Sequence, residues 1–358
     1  MRNSFFLTSC LFISSLSTFA FGAENNSPAT QPKMQQQNHL KKPISLYETF
    51  DNNGVNIGIR GDVLYMIYNS PALTYASEQS AVSEVLYSKT ISVPGKPSVG
   101  CDLALTYTMP NDPGYSFETE WFHIVAKFSR NVNSDNIVPA HSVALTNPAP
   151  GNASVLAHMS INFFDLVINK QFSFGDWVSF TPTAGVIGGY MEGKSSAHFS
   201  ATSGAFSIAG IPAGTTRSTE ADLSYTNRFG GAGLKLGVYS AFKIWKGLRL
   251  EANLFYSALY GLAKAELNYS QNGLYAGIEK GSKANYEQHQ GRIFFDSLLG
   301  LAWATQFSND AFFLDFHAGW RFQVFTEGWQ GFEAEFNDAL QELSLYGQGL
   351  QAGITFKF

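Results

Sequence analysis

The feature that most constrains this chain is an apolar alternation of period two. It ends the sequence as "GLQAGITFKF", with Leu350, Ala352, Ile354, Phe356 and Phe358 alternating with Gln351, Gly353, Thr355 and Lys357. Successive side chains of a strand point to opposite faces, so one face here is apolar and the other is not. The pattern recurs. Val55, Ile57, Ile59, Val63, Tyr65 and Ile67 oppose Asn56, Gly58, Arg60 and Asp62. Leu248, Leu250, Ala252, Leu254, Tyr256, Ala258 and Tyr260 oppose Arg249, Glu251 and Asn253. In a soluble protein such faces would point into a core, and the start of the chain argues for a different destination.

Residues 1–23, "MRNSFFLTSCLFISSLSTFAFGA", carry a basic Arg2, an apolar stretch and small residues at its end, as a secretory signal peptide does. Cys10 precedes most of that stretch, which disfavours a lipid-attachment box. Loss of Arg2 leaves 22 of the 23 basic residues against 28 acidic ones, a net charge of −6, and there are no basic blocks. A nucleic-acid partner is therefore not expected. Cys101 alone remains, so no intramolecular disulfide can form, and it reads as a small apolar strand residue. Charged residues make up 14% of the chain and aromatics 15%. After the leader no run of about 18 apolar residues occurs, so no helical span is expected. An exported, aromatic-rich, charge-poor chain with alternating segments is expected to form an all-β transmembrane antiparallel barrel in the bacterial outer membrane.

The expected organisation is a signal peptide at 1–23, a disordered Gln-, Asn- and Pro-rich periplasmic extension at 24–47 and a barrel at 48–358. Tight turns are read at "PNDPG" (110–114), "SFGD" (173–176), "KIWKG" (243–247) and "FSND" (307–310). Long polar stretches such as Ser129 to Ser154 and Met191 to Asn227 are read as extracellular loops. About ten strands put both ends in the periplasm, and Lys194–Ile208 and Leu262–Ile278 leave room for more, within a range of roughly eight to sixteen. The segment "YSFETEWFHIVAKF" reads both ways, with Trp121 and Val125 on one face and Phe122, Ile124 and Phe128 on the other. The last strand must close the sheet onto the first, since an open edge would leave unpaired backbone groups in hydrocarbon.

Charges on membrane strands must face the lumen or pair. This marks Arg60, Asp62, Asp102, Lys235, Arg249, Glu251, Asp315, His317, Arg321 and Lys357 as pore-lining candidates. Their mixed signs predict weak ion selectivity if the lumen holds water, and a salt-bridged plug if it is packed. Tyr65, Trp177, Tyr190, Trp245, Tyr260, Trp303 and Trp320 are expected at the membrane interfaces. Phe356 and Phe358 resemble the C-terminal signal read by the barrel-assembly machinery. "GGYMEGKS" (188–195) has Walker A spacing, but strand or loop follows it where a helix is needed. No metal-like His cluster and no Gly-x-Ser-x-Gly elbow is present, so neither cofactor nor catalysis is expected.

Four stretches resemble the Legionella-type major outer-membrane protein family, pore-forming barrels of Legionella and chlamydia-like bacteria: "GDVLYMIYNSPALTYA", "INFFDLVINKQFSFGDWVSFTPTAGVIGGY", "LRLEANLFYSALYGLAKAEL" and "LQELSLYGQGLQAGITFKF". The resemblance implies a porin, an aqueous channel for passive diffusion of small polar solutes and ions; the alternative reading is a structural or adhesive barrel with a plugged lumen that meets a host-cell surface through its loops. Outer-membrane lipid and the barrel-assembly machinery are its expected partners, and homo-oligomerisation is an analogy with porins.

Overall fold

The computed structural model describes residues 56–70, 74–82, 85–110, 112, 114–139, 149–175, 177–203, 217–272, 280–307, 312–330 and 342–358. The expected signal peptide and periplasmic extension lie outside them. The described chain is all strand: β1 (Asn56–Asn69), β2 (Thr74–Val82), β3 (Val85–Ser92), β4 (Gly95–Thr108), β5 (Tyr115–Pro139), β6 (Ala149–Lys170), β7 (Phe172–Phe174), β8 (Val178–Ser203), β9 (Arg217–Trp245), β10 (Leu248–Asn272), β11 (Lys280–Phe307), β12 (Phe312–Gln330) and β13 (Glu342–Lys357).

Ten of these form a closed antiparallel ring in the order β1, β4, β5, β6, β8, β9, β10, β11, β12, β13 and back to β1. β2 and β3 make a hairpin against the far end of β5, and β7 is a short addition to β8. The seam runs from Gly58↔Lys357 to Asn69↔Tyr346. It is finished by a reciprocal pair of backbone hydrogen bonds, each 3.0 Å, between Ile57 and Phe358. The sheet is closed down to the last residue, as hydrocarbon demands of its backbone groups.

Both ends of the ring and its short connections lie at one rim. In the first turn Tyr115 N–H donates to the Asp112 carbonyl at 2.9 Å. The second and third turn through Gly175 (φ 64°) and Gly247 (φ 74°), in the left-handed region where only glycine is at ease. The long connections lie at the opposite rim, which is the extracellular one in such barrels.

The strands are far longer than a membrane requires. β8, β9, β10 and β11 have 26, 29, 25 and 28 residues. A crossing strand needs only about 9–11 residues. The excess forms a wall beyond the membrane, and the alternation changes phase where it begins. On β9 the even-numbered side chains face out and the odd-numbered ones in. Leu234 and Leu236 lie outside, 63% and 55% exposed, with Lys235 buried between them. Past Gly230–Gly233 the outward residues are Arg228, Thr226, Ser224 and Asp222, while Phe229, Tyr225 and Leu223 are buried. β10 does the same, with Leu254, Tyr256 and Tyr260 outside and then Leu259, Ala263, Ala265 and Leu267 inside. Lipid bathes the lower wall and water the upper one, so the apolar face moves from outside to inside without a slip in register.

This corrects two expectations. The stretches Ser129–Ser154 and Met191–Asn227 are largely strand: β5 runs on to Pro139, β6 begins at Ala149, β8 continues to Ser203 and β9 starts at Arg217. Lys194–Ile208 and Leu262–Ile278 add no barrel strand among the described residues; they lengthen β8 and β10. Their polar outward residues hid an apolar inward face. The Walker-like Gly188–Ser195 lies inside β8, paired with β6 and β9 throughout, where no helix follows to cradle a phosphate.

The phase change locates the outer edge of the membrane band and can be tested. Leu236→Arg is expected to destabilise the barrel by about 2–4 kcal/mol in lipid vesicles. Ser224→Arg, on the same face above the band, should stay within about 0.5 kcal/mol. Urea unfolding of both variants in vesicles gives the comparison.

Candidate functional site

Inside the membrane-level wall the inward side chains form an extensive ion-pair network. Arg60 of β1 sits at its centre, 3.4 Å from Asp62, 3.5 Å from Asp102, 3.3 Å from Glu118 and 3.1 Å from Glu120. Arg321 of β12 reaches Asp102 at 2.9 Å, donates to both oxygens of Asp296, and meets Gln351 at 3.2 Å. Lys235 of β9 bridges Glu120 at 2.9 Å and Asp165 at 2.5 Å. Nearer the turn rim Arg249 holds Glu251 at 2.7 Å and pairs with Asp315. Asp62 takes bonds of 2.6 Å from Gln351 and 2.6 Å to His317.

Several of these contacts cross the bore. β9 and β5 are not neighbours in the ring, and neither are β12 and β4, yet Lys235 touches Glu120 and Arg321 touches Asp102. The charges thus tie together strands three positions apart in the ring.

Above the network the bore is mostly apolar, with Gln290 and Arg292 buried among the apolar residues and the Arg292 guanidinium 4.2 Å from the centre of the Phe229 ring. Phe163 of β6 stacks on Phe294 of β11 at 5.1 Å and on Phe325 of β12 at 5.9 Å, and Phe294 and Phe325 lie 4.5 Å apart. Ring centroids at these separations leave no room for water between them. Leu64, Met66, Tyr68, Ile124, Phe128, Met159 and Ile161 complete a fully buried layer. Tyr68 reaches over Gly347 of the intervening β13 to donate to Gln323 Oε1 at 2.6 Å, so its hydroxyl is satisfied. Arg321 lies with its guanidinium 5.0 Å from the centre of the Phe122 ring and joins the two layers.

Two spaces remain in the lower half. A vestibule of about 170 Å³ opens near the turn rim between Arg60, Glu118, Tyr239, Arg249 and Lys357. A void of about 30 Å³ lies deeper, among Asp102, Glu120, Asp296 and Arg321. The second holds about one or two waters.

All ten charged candidates point into this lumen: Asp62, Asp102, Lys235, Arg249, Asp315 and Arg321 are buried, and Arg60, Glu251, His317 and Lys357 are half-buried. Nine join the ion-pair network, while Lys357 stands at the vestibule, 5.6 Å from the centre of the Phe313 ring. Glu118, Glu120, Asp165 and Asp296 were missed. β5 carries two apolar faces, which obscured its inward glutamates, and in "FFDL" and "FFDS" the flanking aromatics drown the single inward aspartate.

Tyr65, Trp177, Tyr190, Trp245, Tyr260, Trp303 and Trp320 all lie outward, between 44% and 72% exposed. Phe356 and Phe358 are outward at the turn rim, with ring centres 5.7 Å apart. Cys101 is free and partly exposed on β4.

On the outer wall Ser154, His198 and Asp222 stand in register on β6, β8 and β9, with His198 Nδ1 2.7 Å from Asp222. No hydrogen bond joins Ser154 to His198 among the described residues, and strand amides engaged in the ladder offer no oxyanion hole.

A family model described as the Legionella pneumophila major outer membrane protein precursor matches residues 51–357. No curated protein matches the chain. Among solved structures, the outer membrane protease OmpT from Escherichia coli is 12% identical, covering 85% of this chain and 96% of that one, with a TM-score of 0.36. A major outer membrane protein from Thermus thermophilus is 12% identical over 85% of this chain and 100% of its own, with a TM-score of 0.31. A Pseudomonas aeruginosa FadL homologue is 9% identical over 85% and 90%, with a TM-score of 0.26.

Arg321→Ala strips Asp102 and Asp296 of their shared cation, and is expected to cost about 3–5 kcal/mol in urea unfolding from vesicles. Lys264→Ala, which breaks only the exposed 3.1 Å pair with Glu287, should cost less than about 1 kcal/mol.

Proposed function

We propose, from the premise that this chain belongs to the Legionella pneumophila major outer membrane protein family and lies in the outer membrane, that it is a sealed structural and surface-displaying barrel. The observation that carries this reading is the stack of Phe163, Phe294 and Phe325 across the bore. It lies above ion pairs that span the lower lumen between non-neighbouring strands. A pathway for hydrated ions would have to part both layers. Separating the lower one exposes carboxylates and guanidinium groups whose partners sit on other strands of the ring, at several kcal/mol for each pair.

With the bore occupied, the surface offered to partners is the extended outer wall and the β2–β3 hairpin. Both lie at the rim that carries the long connections. This favours a structural or adhesive role facing the host cell, in which neither a cofactor nor catalysis takes part.

The vestibule between Arg60, Glu118, Arg249 and Lys357 favours a second reading, a porin whose aqueous path opens from the periplasmic side. Its ion preference would differ from the weak selectivity expected from the sequence. Among the described residues Asp62, Asp102, Glu118, Glu120, Asp165, Glu251, Asp296 and Asp315 outnumber Arg60, Lys235, Arg249, Arg292, Arg321 and Lys357 by eight to six, so a conducting lumen would favour cations.

Planar lipid bilayers separate the two. The sealed barrel, folded by circular dichroism, should give no discrete current steps, and removal of the β2–β3 hairpin should abolish attachment to host cells without unfolding the protein. Steps that scale with salt, with a cation-selective reversal potential, would replace this reading with the porin.

A further inference from the structure

Four outward residues on adjacent strands face one another directly. Lys96 of β4 is opposite Lys127 of β5, Lys127 is opposite His158 of β6, and His158 is opposite Lys194 of β8. All four are exposed. Like charges directly opposite on a sheet are destabilising, so this row is one the fold tolerates at a cost. A local device maintains it. The register of β4 slips by one residue between Lys96 and Gly100. Within that bulge Ser98 accepts from Lys127 N–H at 3.2 Å and donates to the Lys96 carbonyl at 3.0 Å. Without the extra residue, the alternation from buried Asp102 through buried Ser98 would aim Lys96 into the lumen. The bulge turns it out beside Lys127.

Among the described residues the neighbouring carboxylates pair with only one member of the row, Lys194. Glu192 is engaged by Lys194 at 3.1 Å and by Arg228 at 3.0 Å. Lys96, Lys127 and His158 have no ion pair among the described residues.

The height of the row is also informative. On the same outward face and toward the membrane come Trp121, Phe164 and Tyr190, which are 41%, 57% and 44% exposed. They lie four to six residues from the row along their own strands, a distance of about 13–20 Å. The row therefore stands where the outer leaflet's headgroups begin, above rings suited to the acyl boundary.

We propose that Lys96, Lys127, His158 and Lys194 form a binding site for the phosphorylated headgroup of an outer-leaflet glycolipid of the lipid A type. An anion bound here would turn the repulsive row into a charge-assisted one, with the aromatic rings below meeting the acyl chains. The proposal needs only the membrane level of the wall, and holds whether or not the lumen conducts.

The full chain, refolded in phosphatidylcholine vesicles with and without lipid A, tests it through lipid retention by native mass spectrometry and through urea stability. Lipid A should be retained by the wild type, with an affinity loss of about fivefold for Lys127→Gln and about 25-fold for Lys96→Gln with Lys127→Gln. Lys264→Gln, whose lysine is already paired with Glu287, should change retention less than about twofold. The stability readout should reverse sign: without lipid A Lys127→Gln leaves stability unchanged or raised, and with lipid A it lowers it. Equal retention by the double variant, equal retention of dephosphorylated lipid A, or free inorganic phosphate matching the effect of lipid A would each overturn the assignment, as would a stability change of the same sign in both lipids.

Discussion

The structure depends on the closure of the β-sheet in a solvent that cannot accept hydrogen bonds. A peptide group left unpaired in hydrocarbon costs several kcal/mol, so a strand ladder can cross a membrane only as a complete ring. The Ile57–Phe358 bond pair finishes that ring, and the register along β1 and β13 makes it continuous. Once closure is imposed, ten strands fix a narrow bore. Side chains from opposite walls then come within contact distance, and the interior has to be solved as a packing problem.

Two solutions are stacked along the axis. At membrane level the interior is ionic, and Arg60 and Arg321 each serve several carboxylates from different strands. Above the membrane it is aromatic and aliphatic. The order follows from what lies outside the wall. Lipid already takes the apolar residues of the lower wall, so polar ones face in. Water surrounds the upper wall, which buries its apolar residues as a soluble protein does. Such ion pairs add little net stability by themselves, because desolvation offsets their attraction. Their contribution is to fix how opposing walls meet.

This also explains what could be read from the sequence. The strands of the membrane band were legible because one face is apolar and the other is not: Leu350 to Phe358 and Leu248 to Tyr260 read correctly at once. The inward set from Arg60 to Lys357 was marked by the same pattern, since a charge on an alternating strand has one tolerable direction. The upper wall was not legible. There the apolar residues are spaced two apart on the other face, and small ones such as Ala153, Ala197 and Ala221 fill the narrow bore. Ser- and Asn-rich outward positions made those stretches look like loops. β5 crosses the boundary with large residues on both faces, and this concealed Glu118 and Glu120. The aromatic stack is a property of the closed ring, joining residues from β6, β11 and β12 that no local pattern relates.

The seam between β1 and β13 has a temporal consequence. The first and last strands of the barrel are each other's neighbours, so the ladder cannot be completed while any strand of the barrel is still being made or exported. Each intermediate strand can pair with its predecessor through a turn or a connection local in sequence, at a small loop-closure cost. The final pairing instead joins the most distant residues in the barrel, and contacts of that kind form slowly. Until then two edges and two unsatisfied wall faces stay open together. The lumen shares this fate, because Arg60 of β1 cannot settle among the β4 and β5 carboxylates while β13 is free to move beside it. Closure of the sheet and neutralisation of the interior are thus a single late event, set by the last residues to arrive.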